Sequence, residues 1–277
     1  MALRMVMGAQ LRRLREARGI TRYAAGEAIR ASHSKISRLE LGRTGFKQRD
    51  VADLLTLYGV NDEAERARWL ELAKQTNTPG WWREYADLLP AGFEHYLGLE
   101  QAAGIIRGYE VQFIPDLLQT MRYAQAVMRL AAPFASSAEI QRRIRMQTMR
   151  QRILCRPQPP RLWVIIDEAA LRRRLGGAAT MRHQLRHLIQ VAELPQVTIQ
   201  VMPFSAGHAA VGGPITLLRF SEFELPDVVY LEQLTGALCL ERPADVAQYQ
   251  QVMDHLSVQA EPPSETLPIL REIYHET

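Results

Sequence analysis

The segment 31–43 reads ASHSKISRLELGR. It has helix formers for about three turns, yet only Ile36, Leu39 and Leu41 are large and apolar. A helix that served a core alone would carry a wider apolar stripe. His33, Ser34, Lys35, Ser37 and Arg38 instead offer imidazole, hydroxyl, ammonium and guanidinium donors. These groups meet phosphate oxygens and the acceptor-rich edges of base pairs.

The residue patterns of catalysis are absent or incomplete. No G-x-S-x-G elbow, P-loop or dinucleotide fingerprint occurs. A serine nucleophile activated by lysine needs a lysine in the same domain. The lysines are Lys35, Lys47 and Lys74, so none can serve the Ala-Gly pairs at 91–92, 103–104 and 206–207. His183 and His187 stand four apart on one expected helix, a spacing that can hold a metal. They have no glutamate between them and no identifiable third ligand, which favours a solvated or capping role. Asp167 and Glu168 adjoin a strand-to-helix junction, where the helix dipole favours negative charge. Cys155 and Cys239 are far apart and read as small core residues, with no disulfide framework and no zinc motif. The expectation is no enzyme, no metal and no cofactor.

Positioning the donors of 31–43 falls to a short basic region. Residues 1–50 hold 12 Lys/Arg and 4 Asp/Glu, against 22 and 26 in 51–277. A basic block on a mildly acidic chain suggests a polyanionic partner. Within it, Met7, Leu11 and Leu14 mark a first helix at 5–18 that stops at Gly19. Thr21 can cap a second, at 21–29, and Ser32 a third, at 33–41, which Gly42 ends. Val51, Leu54, Leu55 and Tyr58 mark a fourth at 47–58, and Asp62 with Glu65 form a capping box that opens a fifth. Helices this short are unstable alone. The small residues Ala24, Ala25 and Gly26 let them pack closely. Short helix, tight turn and short polar helix make a helix-turn-helix pattern, in which Ile36 and Leu39 anchor the third helix and its polar side faces a DNA major groove.

The stretch ITRYAAGEAIRASHSKISRLELGR resembles the helix-turn-helix of the Xre, or phage-repressor-like, family over roughly 7–75, most specifically in SKISRLELGR. The resemblance implies an ion pair between Glu40 and Arg15 that locks the third helix onto the first. Arg22 stands where the family often has glutamine, which removes an adenine-type bidentate contact and leaves a phosphate contact. Lys35 and Arg38 are the leading base-edge readers. His33 and Ser34 join that face, with a solvated helix-start histidine as the alternative for His33. Thr21, Arg22, Ser32, Ser37 and Arg43 are expected on phosphates, fixing register without reading sequence.

Beyond a linker at 76–90 containing Trp81 and Trp82, helices are expected at 92–106, 119–131, 137–154, 168–175, 180–193 and 243–258, and strands at 161–167, 197–204, 213–220, 227–234 and 237–241, followed by a Pro-rich tail. The aromatic stretch from Trp81 to Phe113 is a core or, alternatively, a small-molecule pocket. Ten arginines lie between 142 and 174, whereas 201–277 hold three basic and eleven acidic groups. These are two solvated faces or, in a sharper reading, an acidic surface for a basic partner. FIPDLLQTMRYAQAVM, RQRILCRPQPPRLWVIIDEAALRRRLGG and VTIQVMPFSAGHAAVGGPITLLRF resemble the C-terminal domain of bacterial antitoxin-like Xre-type regulators over about 90–270. That resemblance implies a small co-encoded partner protein.

The expected fold class is α+β: a five-helix domain at 1–75, the linker, and an α+β domain at 91–277 with helices first and a small mixed sheet after. The expected function is a homodimeric, sequence-specific regulator of a double-stranded DNA operator, controlled by the partner protein. The alternative is a regulator whose C-terminal domain senses a small molecule. No run approaches the ~20 apolar residues of a membrane span and no signal peptide is apparent, so a cytoplasmic location is expected.

Overall fold

The structure, a computed structural model, describes residues 2–78, 80–90, 92–206, 213–221, 225–233 and 236–277. Pro79 of the expected linker, Ala91 at the expected start of the second domain and 207–212 of the third motif lie outside the described residues. The fold is α+β. The chain divides into two compact units, one of residues 1–83 with 221–226, the other of 84–220 with 227–277.

The first unit holds five helices: α1 (Ala2–Ala17), α2 (Arg22–Ala28), α3 (His33–Glu40), α4 (Gln48–Leu57) and α5 (Glu63–Thr76). Local chemistry sets their starts. The side chains of Thr21, Ser32 and Asp62 accept from the backbone N–H three residues on, at Ala24, Lys35 and Glu65. Met7, Leu11, Ile36, Leu39, Val51, Leu54, Leu55 and Tyr58 converge in one core. After α5, Asn77 donates to Phe46 O and accepts from Phe46 N, which ties the start of the expected linker to this unit. The expected linker contains a 3-10 helix, Trp81–Leu88.

The second unit is built on a six-stranded mixed sheet of order β3-β2-β1-β4-β5-β6. Its strands are β1 (Ile105–Glu110), β2 (Arg161–Asp167), β3 (Val197–Met202), β4 (Ile215–Arg219), β5 (Val228–Gln233) and β6 (Gly236–Leu240). β1, β2 and β3 run parallel, and β4, β5 and β6 continue antiparallel. The helices are α6 (Phe93–Ala102), α7 (Met121–Ala131), α8 (Ser137–Gln151), α9 (Glu168–Arg172), α10 (Ala178–Val191), α11 (Pro243–Gln259) and α12 (Thr266–Glu276). α11 covers one face of the sheet, where Val246, Met253 and Leu256 meet Tyr109, Ile165 and Val229. The alternate residues Leu162, Val164 and Ile166 of β2 are buried too, so the sheet is covered on both faces.

Three expectations are corrected. The helix expected at 92–106 ends at Ala102, and the residues after it form β1, between β2 and β4 in the sheet. The chain turns extended at Ala103, and Arg107 and Gly108 obscure the β pattern because this strand is held from both sides rather than by its own propensity. The expected Pro-rich tail contains α12, in which Pro268 falls in the first turn, where its missing N–H has no helical partner to lose. Cys155 and Cys239 are exposed rather than core residues.

Candidate nucleic-acid interface

α2 and α3 are joined by a turn that leaves no room for a larger residue at Gly26. A Cβ there would lie 2.6 Å from Ala31 O. Arg30 in the same turn takes a left-handed φ of 53°, a conformation costly for a residue with a Cβ. The other end of α3 is fixed by α1. A Cβ on Gly8 would stand 2.4 Å from Leu39 O and 2.6 Å from Glu40 O, so the two backbones touch directly.

Charge then braces what backbone contact positions. Arg15 Nε donates to Glu40 Oε1 at 2.5 Å and Nη2 to Oε2 at 3.1 Å, with both side chains under a tenth exposed. Arg15 Nη1 also donates to Ile20 O at 2.8 Å, so one guanidinium ties together α1, the α1–α2 turn and α3. The hydrogen bond to Glu40 holds the Arg15 guanidinium above its ordinary range. Burial pushes the neighbouring Tyr58 phenol up, with a smaller contribution from Glu40. Glu40 Oε2 accepts a second arginine, Arg22 Nε, at 3.0 Å. Arg22 remains 43% exposed, so Glu40 aims a cation that is still accessible.

The helical period sorts the rest of α3. Ile36, Leu39 and Glu40 are buried, while His33, Ser34 and Arg38 are exposed and Ser37 is half-buried. Positions 33 and 37, and 34 and 38, are four apart and share a face. His33 Nε2 lies 3.4 Å from Ser34 Oγ. Lys35 falls off this face toward α4, where its Nζ lies 2.5 Å from Asp50 Oδ2. Lys35, expected as a leading base reader, thus has its ammonium paired with a carboxylate in this structure. Asp50 sits in the first turn of α4, where nothing local in α3 announces it.

Of the expected phosphate contacts, Thr21, Ser32 and Arg43 are exposed, and the hydroxyls of Thr21 and Ser32 also serve as helix caps. Arg30, Lys47 and Arg49, which the sequence alone does not single out, line one concavity between the α2–α3 turn and α4 together with Asp50 and Asp53. Lys47 and Arg49 belong to the clustered basic residues of the RTGFKQR segment, whereas Arg30 lies in the turn before α3. A helix-turn-helix domain profile matches residues 6–69. The first unit is therefore a helix-turn-helix domain of the kind that binds DNA.

The second unit has its own ionic centre. Arg150 donates from Nε and Nη2 to both oxygens of the fully buried Glu100 at 2.7 Å, from Nη2 to Tyr96 Oη at 3.2 Å, and from Nη1 to Asp116 at 2.8 Å. Burial, with the charges of Asp116 and Glu232, pushes the Glu110 carboxyl up to about 8. Much of the arginine run is spent internally, on Asp87, Glu139, Glu168, Glu276 and Glu100. Asp167 caps α9 by accepting from Ala169 N, and Glu168 accepts from Phe204 N while pairing with Arg172. Among the described residues, His183 and His187 do not converge with a third ligand. A profile described as a domain of unknown function, DUF5753, matches residues 93–272, well over half of the chain.

The chain belongs to the DUF5753 family. In this DUF5753 protein the family region spans the whole sheet and α6–α11, and most of α12, with the helix-turn-helix domain ahead of it. No curated protein and no solved structure matches the chain. Among the described residues, no helix is long and apolar enough to cross a membrane.

Proposed function

We propose that this DUF5753 protein is a sequence-specific transcriptional regulator of the Xre type, antitoxin-like, acting as a cytoplasmic homodimer. One observation carries the reading. α3 presents His33, Ser34, Ser37 and Arg38 on one accessible face while Arg15, Glu40, Ile36 and Leu39 hold its back. Arg38 is the leading base reader, suited to the O6 and N7 acceptors of guanine. His33 and Ser34 flank it. Arg22, Arg43, Ser32, Ser37 and Thr21 take phosphates, joined by Arg30, Lys47 and Arg49. Lys35 is a brace between α3 and α4. A dimer would set two such helices about 34–36 Å apart, on successive major-groove faces of an operator.

The DUF5753 domain dimerises, binds a small co-encoded protein, or both, and carries no catalytic role. Partner binding changes DNA affinity to the extent that the partner prefers one state of the regulator. The test is selection from a random duplex pool by the full chain, with and without the neighbouring small protein. Arg38→Ala should lose the selected motif, whereas Lys35→Ala should keep it. A motif retained by Arg38→Ala would remove the assignment.

A further inference from the structure

We propose that the DUF5753 domain holds a divalent transition-metal ion of the zinc class through His95, Cys239 and Glu241. These three residues are far apart in sequence. In the fold, one ligand atom from each lies within 4.8 Å of the other two. His95 Nε2 stands 3.6 Å from Glu241 Oε1. That is longer than a hydrogen bond and within ion-pair distance when the imidazole is protonated. Two ligands of one tetrahedral ion, bound at the usual zinc distances, stand roughly 3.3–3.6 Å apart.

The fold builds this convergence from two elements. Cys239 lies on β6 and Glu241 just beyond it. A spacing of two puts both on one side of an extended chain. Cys239 is the cross-strand partner of Tyr230. The Tyr230 ring stacks on Tyr96 at 3.9 Å, and Tyr96 Oη is gripped by Glu100 and Arg150. His95, adjacent to Tyr96 in the first turn of α6, is thereby laid over the end of β6. The buried Arg150–Glu100 centre thus supplies the rigid support that metal ligands need.

The ligand types choose the ion. Magnesium and calcium take oxygen ligands in sixfold or higher coordination. A thiolate, an imidazole and a carboxylate suit zinc, cobalt and their neighbours. Thiolate and carboxylate together balance a divalent charge. All three side chains keep contact with solvent, so an ion can enter, and water can complete a fourfold shell. The ion would pin α6 to β6, one of the sheet's two edge strands.

The experiment is titration of the full chain with Co²⁺, read by absorption, and with Zn²⁺, read by calorimetry. The expected result is one Co²⁺ per chain, with a thiolate-to-metal charge-transfer band and the intense visible bands of four-coordinate cobalt. Cys239→Ser should abolish the charge-transfer band, while Cys155→Ser leaves it intact. His95→Ala and Glu241→Gln should each weaken Zn²⁺ binding by roughly 10–100-fold or more, at least the loss seen when an outer-shell partner is removed. Circular dichroism of each metal-free variant should match the parent, which separates lost ligation from lost fold. Zn²⁺ should also raise the melting temperature of the parent but not of Cys239→Ser. No thiolate band in the parent, or a band that survives Cys239→Ser, overturns the site.

Discussion

The two units each contain a buried arginine clasped by a buried glutamate, and they differ in what the clasp does with its remaining charge. In the helix-turn-helix domain, Glu40 holds Arg15 and then Arg22, which is 43% exposed. In the DUF5753 domain, Arg150 holds Glu100 and then Asp116, which is 47% exposed. Counting only these three groups, the first centre carries one surplus positive charge and the second one surplus negative charge. The inner pair is alike, and the outer member decides what the surface can meet. A surplus cation beside α3 suits a polyanion. A surplus anion would repel one. The comparison shows how a single packing device serves an outward role in one domain and an inward, scaffolding role in the other.

The comparison can be broken most directly at its glutamates. Glu40→Ala and Glu100→Ala each strand a buried guanidinium, at an expected cost of about 3–5 kcal/mol. Because the chain has two units, scanning calorimetry should show each variant lowering its own transition and sparing the other. A loss under ~1 kcal/mol, the value of an exposed pair, would mean that the clasp is not a closed centre.

The acidic side of the second centre is tested next, by pH. Burial raises the Glu110 carboxyl from its ordinary 4.5 to about 8. Between these values the folded chain keeps a proton that the unfolded chain has released. The contribution of Glu110 to stability is therefore full below about 4.5 and lost as pH rises toward about 8. The transition of the DUF5753 domain should fall across that window, and Glu110→Gln should flatten the fall. An unchanged slope in the variant would place the proton elsewhere.

On the cationic side, Arg38→Ala should cost about 1–3 kcal/mol of discrimination between operator and scrambled duplex, measured by competition binding. Smaller still, Arg22→Ala should weaken all duplexes nearly alike and reduce the slope of log affinity against log salt by about one. An unchanged slope would make Arg22 a brace like Lys35 and narrow the contrast between the two centres.

What could be read without coordinates follows from how local each signal is. The caps at Thr21, Ser32 and Asp62 and the stripe Met7–Leu11–Leu14 are written within one or two turns, so the helices of the first domain were legible. The inward and outward sides of α3 followed from its 3.6-residue period. The pairing of Lys35 was not legible because its partner, Asp50, comes from the next helix. β1 was hidden because its pairing with β2 and β4 is made by residues more than 50 positions away. The grouping of His95, Cys239 and Glu241 depends on sheet order and on the stacking of Tyr96 with Tyr230. No window of a few residues contains either.

The direct contact of Gly8 with the last carbonyls of α3 has a consequence for control. Where two main chains meet with no side chain between them, no rotamer can flip to let one tilt against the other, and packed interiors yield in discrete steps rather than by gradual bending. α3 is thus held as a rigid unit against α1. In the dimeric regulator proposed above, a switch would therefore act on where the two heads are held and how far apart they stand, not on the shape of the helix that enters the groove.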